Sequence, residues 1–332
     1  CFFLWQPCWL TAAPSSGNPD SSRKAVIAMA EPAIAVENLV KKYGKTPALQ
    51  GISFQVYPGE VFGYLGPNGA GKTTTIRILA GLSSPTSGSC RILGQAAFRN
   101  PALYRHLGVV FEESNLYERL SGIENLRFFA ALHGVPGTRA QELLQAYDLA
   151  QAAKRPVRTY SKGMKRRLLI CRALLHDPEV LIMDEPTSGL DPTSASVIHA
   201  AIDTYRKQGK TIFLSTHDMA EAETLCDRVA FLNQGRIAAL DQPKALMRRY
   251  GQPVVVVQLK PSAAMSEAAK ESISPDQVSW EDGMLTFRLP LDQPNLGAQL
   301  DQLRSCGEIL TIHTQEASLG QIFRQVTGAK LD

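Results

Sequence analysis

The hydrophobic pattern changes period several times along the chain, and each change marks an element. Residues 33–36 and 52–56 read as strands, the second alternating apolar with polar positions, the period of a half-buried strand. Between them residues 41–45, with two lysines and Gly44, read as a turn. Val61–Leu65 is a short buried strand, and residues 73–80 read as the helix that follows it. The polar stretch 83–89, with Pro85 and Gly88, is a loop, and 90–94 and 107–111 are strand-like again. Residues 113–165 change character, with apolar residues at helical spacing over 122–132 and 138–149. Three continuous apolar runs follow, at 180–183, 211–215 and 228–232, the texture of central parallel strands. A helical stretch over 195–208 separates the first two. Such alternation predicts an α/β fold, a mostly parallel sheet with helices on both faces.

Near residue 250 the texture shifts once more. Strand patterns at 254–259, 284–289 and 309–312 interleave with helical ones at 262–273, 295–305 and 317–327. This predicts a small separate α+β domain over 251–332, after a main domain over 29–250 with a helical part near 113–165. At the other end, residues 1–13 are apolar but interrupted by Pro7, and shorter than the ~18–20 residues that span a bilayer. No basic stretch precedes them, as one would in a signal peptide. Met29 opens a natural start, so residues 1–28 are expected to be a disordered extension outside the functional protein.

Composition adds limits. With 332 residues, 44% of them hydrophobic, the chain can form two or three globular domains. A net charge of +4 does not argue for a nucleic-acid binder, and the basic runs at 165–167 and 248–249 read as solvated helix faces. The six cysteines are scattered with no C-x-x-C pair, which makes zinc or redox chemistry a poor reading and free thiols the better one.

The chemistry concentrates in residues 59–74. Gly66 is followed after four residues by Gly71-Lys72-Thr73, the spacing of a phosphate loop between a strand and a helix. Gly66, Gly69 and Gly71, with Pro67, Asn68 and Ala70 between them, let backbone N–H groups approach phosphate oxygens. Lys72 reaches the β/γ-phosphates as a mobile charge, the Thr73 hydroxyl ligates Mg²⁺, and Thr74 continues the helix. The apolar run 180–183 ends in Asp184 and Glu185. Carboxylates at the edge of a buried strand need cationic partners. Asp184 suits a direct or water-mediated role at that metal, and Glu185 suits the activation of an attacking water.

With these motifs in order, the chain resembles the ATP-binding subunits of ABC transporters from residue 33 to about 245. Residues 160–168 resemble the signature motif, residues 188–191 the D-loop, and His217 in Leu-Ser-Thr-His-Asp the switch histidine. The resemblance implies an ATPase with ATP and Mg²⁺ as cofactors. Tyr43 would stack on adenine, and His217 would hydrogen-bond the γ-phosphate. Ser161 and Gly163 would start a helix facing the γ-phosphate held by the opposite subunit. Two positions depart from the pattern. Glu112 holds the place of the usual Q-loop glutamine, as a harder metal ligand. Lys162 and Met164 replace a Gly and a Gln of the signature, in a form similar to the drug- and sodium-exporter branch. The tail, residues 317–328, resembles the endings of that branch.

The resemblance therefore implies a P-loop NTPase fold and a cytoplasmic subunit lying on the inner face of the cell membrane. It implies a head-to-tail homodimer driving a separate membrane permease, whose coupling helices would enter the groove beside residues 113–165. The rival is a soluble ABC ATPase acting on ribosomes or nucleic acid. Such proteins usually carry two cores, coiled coils or zinc fingers, and this chain has one phosphate loop, no sustained heptads and no cysteine cluster.

Overall fold

The computed structural model describes residues 31–261, 278–281 and 283–328. The segment 1–28, the start at Met29 and the helical pattern at 262–273 lie outside the described residues.

Two sheets build the main body. β1 (Ile34–Tyr43) pairs antiparallel with β2 (Thr46–Val56). β3 (Val61–Leu65) then leads into α1 (Lys72–Leu79). β4 (Ser87–Ile92) returns to the other side of β1, with the short β5 (Gln95–Ala96) beside it, giving a sheet of order β2-β1-β4-β5. β6 (Leu107–Val110), β7 (Val180–Asp184) and β8 (Thr211–Thr216) run parallel to β3 and β9 (Arg228–Asn233), and β10 (Arg236–Asp241) closes that sheet antiparallel. Its order is β10-β9-β3-β8-β7-β6. The expected turn at 41–45 is shorter than the sequence indicated: β1 runs on through Tyr43, and Gly44, at φ 59°, makes the turn.

Side chains of β3 divide between two cores, as a period of two requires. Phe62 and Tyr64 face the antiparallel sheet, where they meet Phe54 and Phe213, with ring centroids 5.3–5.9 Å apart. Val61 and Leu65 face the helices. Helices do not dominate both faces: one face is covered by β1, β2, β4 and α1. The one-sided burial of β2 suits a sheet with one wet face, unlike the fully buried β3, β7 and β8.

The helical face carries α2 (Gly122–His133), α3 (Thr138–Ala146), α4 (Lys162–Ala173), α5 (Pro192–Lys207), α6 (Met219–Leu225) and α7 (Pro243–Tyr250). Ser121 begins α2 with a capping box to Glu124, and Gly134 at φ 67° ends it.

The last part of the chain forms an antiparallel sheet of order β12-β13-β11-β14. Its strands are β11 (Val254–Pro261), β12 (Val278–Glu281), β13 (Met284–Pro290) and β14 (Gly307–Gln315). α8 (Leu296–Cys306) packs on it, and Val257, Leu259, Phe287 and Leu303 make a separate small core. α9 (Leu319–Thr327) does not join that core. Leu319, Ile322 and Phe323 are buried in the main helical core, and the Phe323 ring meets Phe231 of β9 edge-on at 5.2 Å.

Candidate active site

β3, β7 and β8 are adjacent and parallel, so their C-terminal ends bring three loops to one edge of the sheet. The loop after β3 is the phosphate loop. Gly71 caps α1 at φ 112°, and a Cβ there would lie 2.8 Å from the Ala48 carbonyl oxygen and 2.9 Å from Leu49 Cδ2. Only glycine satisfies both the dihedral and the approach of β2. A Cβ on Gly66 would collide with the Leu232 carbonyl, so the loop is fixed from both sides. Lys72 is buried; its Nζ donates to Gly66 O at 2.6 Å and Pro67 O at 3.3 Å.

Asp184 ends β7 and pairs in register with Ser215, whose Oγ donates to Asp184 Oδ1 at 2.5 Å. Burial raises the Asp184 pKa, and hydrogen bonds from Ser215 and Thr73 oppose that rise. The Glu185 charge adds to the rise, while the Lys72 charge opposes it. Glu185 turns out of the strand with φ 47°, a left-handed conformation that costs a non-glycine residue about 1–2 kcal/mol. Its N–H donates to Ser215 O and Oγ, each at 3.1 Å, which holds the turn.

The buried Glu185 carboxylate stands between Lys72 and His217. Lys72 Nζ lies 3.1 Å from Oε1, and His217 Nδ1 lies 2.7 Å from Oε2. Oε1 has no hydrogen bond, so the Lys72 contact is an ion pair without directed geometry. Lys72, Thr73, Asp184, Glu185 and His217 are thus one constellation, drawn from three loops.

Residues 49–188 match the family described as ABC transporter. The chain is 42% identical over 301 residues to a fluoroquinolones export ATP-binding protein of Mycobacterium tuberculosis, covering 90% of this chain and 94% of that protein. It is 36% identical over 309 residues to the Nod factor export ATP-binding protein I of Paraburkholderia xenovorans, covering 91% and 99%. A solved ATP-binding subunit of an ABC transporter superposes with TM-score 0.61 at 32% identity, covering 66% of this chain and 93% of that one. A dimeric ATP-binding cassette bound to ADP and Pi superposes at 0.59 with 26% identity, covering 63% and 98%.

The chain belongs to the ABC transporter family. It is an ATP-binding, ATP-hydrolysing subunit of an export system. The other expected residues of this ABC ATPase lie outside the constellation. Tyr43 ends β1, 49% exposed, with Lys41 Nζ 5.0 Å from its ring centroid. Ser161 caps α4, accepting from Met164 N at 3.2 Å. Gly163 is buried against α5, where a Cβ would lie 2.5 Å from Ser194 Oγ. Lys162 Nζ lies over Gly189.

Glu112 follows β6. Its carbonyl accepts from Arg166 Nη2 at 3.0 Å, while Nη1 donates to Phe111 O at 2.7 Å. Arg166 is buried, 4% exposed, which corrects the reading of 165–167 as a solvated face. Burial lowers its pKa, and the charges of Glu112, Asp184 and Glu185 act the other way. The guanidinium ties the signature helix of this ABC subunit to the loop after β6. A signal for it was present, because Arg166 stands three and four residues before Leu169 and Ile170, on the apolar stripe of α4.

Proposed function

We propose that two copies of this ABC subunit close head to tail around two molecules of Mg-ATP, on the cytoplasmic face of a membrane, and drive a separate export permease. Adenine stacks on the exposed face of Tyr43, and the phosphates lie in the 66–74 loop. The charge of the γ-phosphate draws Lys72 from its ion pair with Glu185. The freed carboxylate, held through Oε2 by His217, takes a proton from the attacking water as the γ-phosphoryl group leaves ADP.

The donors fit a magnesium ion. The Thr73 hydroxyl and Asp184 carboxylate are hydrogen-bonded, and Glu185 Oε1 beside them is buried without a hydrogen bond. Magnesium takes one or two protein oxygens and draws the rest from phosphates and water. Bound by Thr73 and Asp184, with Glu112 on the neighbouring strand loop, it would neutralise charge on the β- and γ-oxygens.

One observation supports the head-to-tail reading: Ser161 caps its own helix at Met164 and Gly163 lies against Ser194 of α5. A partner's α4 N-terminus would supply oriented N–H groups at the outer side of the γ-phosphate. The fluoroquinolones and Nod factor export names of the relatives favour transport of organic compounds out of the cell. Mixing Ser161→Arg with Lys72→Ala tests the shared site. Mixed dimers carry one site with both lesions and one with neither, so ATPase activity should rise above that of either variant alone. A mixture as inactive as its parts, while each variant still complements wild type, rejects head-to-tail sharing.

A further inference from the structure

Glu185 and His217 touch, and a second contact closes just behind each of them. Thr187 lies in the turn after Glu185, where Ser188 N donates to Glu185 O at 3.3 Å and Leu190 N to Thr187 O at 3.1 Å. Glu221 lies in the first turn of α6, directly after His217 and its neighbour Asp218, whose Oδ1 accepts from Ala220 N and Glu221 N. Thr187 Oγ1 donates to Glu221 Oε1 at 2.7 Å. His199 of α5 brings Nε2 to 2.9 Å from the same oxygen. The Glu221 side chain is only 2% exposed, and its Oε2 is buried without a hydrogen-bond partner. A buried carboxylate is tolerated only where hydrogen bonds hold it, so these two donors decide where Glu221 stands.

Three elements meet at this oxygen. The 185–191 loop arrives through Thr187, and α6, which follows the switch histidine, carries Glu221 itself. α5 arrives through His199, and its first turn also packs Ser194 on Gly163 of the signature helix. None of the three residues belongs to the phosphate loop. We infer that Glu221 is a positioning residue for hydrolysis: by accepting from Thr187 and His199 it holds the loop after Glu185 and helix α5 against α6, and so sets the Glu185–His217 hydrogen bond. This rests on the roles given above to Glu185 and His217. Its signature is a loss in kcat with the KM for ATP retained, because nucleotide contacts lie elsewhere.

Phosphate release by the purified full chain is measured against ATP concentration, with thermal unfolding alongside. Glu221→Ala and Thr187→Val should each lower kcat about 10–100-fold, the worth of a hydrogen bond to a charged group, with KM for ATP changed less than about twofold. Glu221→Gln keeps an acceptor oxygen and should hold kcat within about threefold of wild type. The double variant Glu221→Ala/Thr187→Val should be no slower than Glu221→Ala, since both changes remove one interaction. Equal losses in Glu221→Gln and Glu221→Ala, effects that multiply in the double variant, or a fall in Tm with kcat kept would each overturn the inference. Should Glu221→Ala fail to fold, a normal kcat in Thr187→Val overturns it alone, and a kcat loss there with Glu221→Gln active supports it. Glu185→Gln and His217→Ala run beside these. Normal turnover in those two variants overturns the reading of the site and the inference with it. Loss there, with Glu221 and Thr187 variants at wild-type kcat, overturns the inference only.

Discussion

The Nδ1 of His217 lies 2.7 Å from Oε2 of Glu185, so His217 holds the carboxylate directly, before any phosphate is considered. The sequence assigned His217 to the γ-phosphate and Glu185 to water as separate tasks. The contact makes them one unit. Glu185→Gln should lower ATP turnover by about 10²–10⁴, the usual worth of a positioned base, and leave nucleotide binding near wild type. Because residues that act as a unit are not additive, Glu185→Gln/His217→Ala should turn over no more slowly than Glu185→Gln. Steady-state phosphate release and a nucleotide titration check both statements.

Arg166 is expected to matter for stability as well as position. Arg166→Met fills part of the same space but leaves the carbonyls of Phe111 and Glu112 without their donor. At about 1–3 kcal/mol for each part-buried acceptor left unsatisfied, the variant should lose about 2–6 kcal/mol. Chemical unfolding measures it. Arg166→Lys should recover only part, because one ammonium cannot reproduce the planar fork.

Acid should loosen the seam between α2 and the loop before β7. There the rings of His133 and His176 stack with centroids 4.0 Å apart. Burial pushes the His176 pKa down to about 4, helped by the neighbouring His133 and His106, while the Leu107 carbonyl and Asp177 oppose the shift. Burial lowers His133 too. In the unfolded chain a histidine titrates near about 6.5. Between those values the unfolded state binds the proton and the folded state does not. Stability is therefore full above about 6.5 and falls as the pH drops towards 4. Tm at about pH 5 should lie below Tm at about pH 7, and His176→Gln should make the decline shallower. Calorimetry across that range checks it.

Phe323→Ala tests where α9 belongs. The ring is fully buried against Phe231, and such a truncation costs about 3–5 kcal/mol. The loss should appear as lowered protection of amide protons in α6, α7 and β9, with β11 and β13 unchanged, by hydrogen exchange.

What the sequence made legible follows from physics that fixes spacing. The phosphate loop needs its glycines at set intervals, and Asp184 and Glu185 follow a buried strand, so Lys72, Thr73, Asp184 and Glu185 could be singled out from residues alone. The long β1–β2 hairpin was not. Register shifts after Val36 and between Lys41 and Lys42 break the alternation that announces a strand. Arg166 was misjudged because a charge run looks alike whether solvated or spent on buried carbonyls. The address of α9 was invisible for another reason. Its apolar face at Leu319, Ile322 and Phe323 says that something covers it, and nothing local says which of two cores.

That address sets an order of events during synthesis. A chain emerging from the ribosome folds its early parts first. Here the surface around Phe231 and α7 is made early and its cover, α9, only after β11–β14 have been translated. The main body therefore has an uncovered apolar surface around Phe231 while the smaller sheet is made. Nascent chains stalled between Tyr250 and Leu319 would carry the whole 66–74 loop and still lack the residues of α9 that complete the main core.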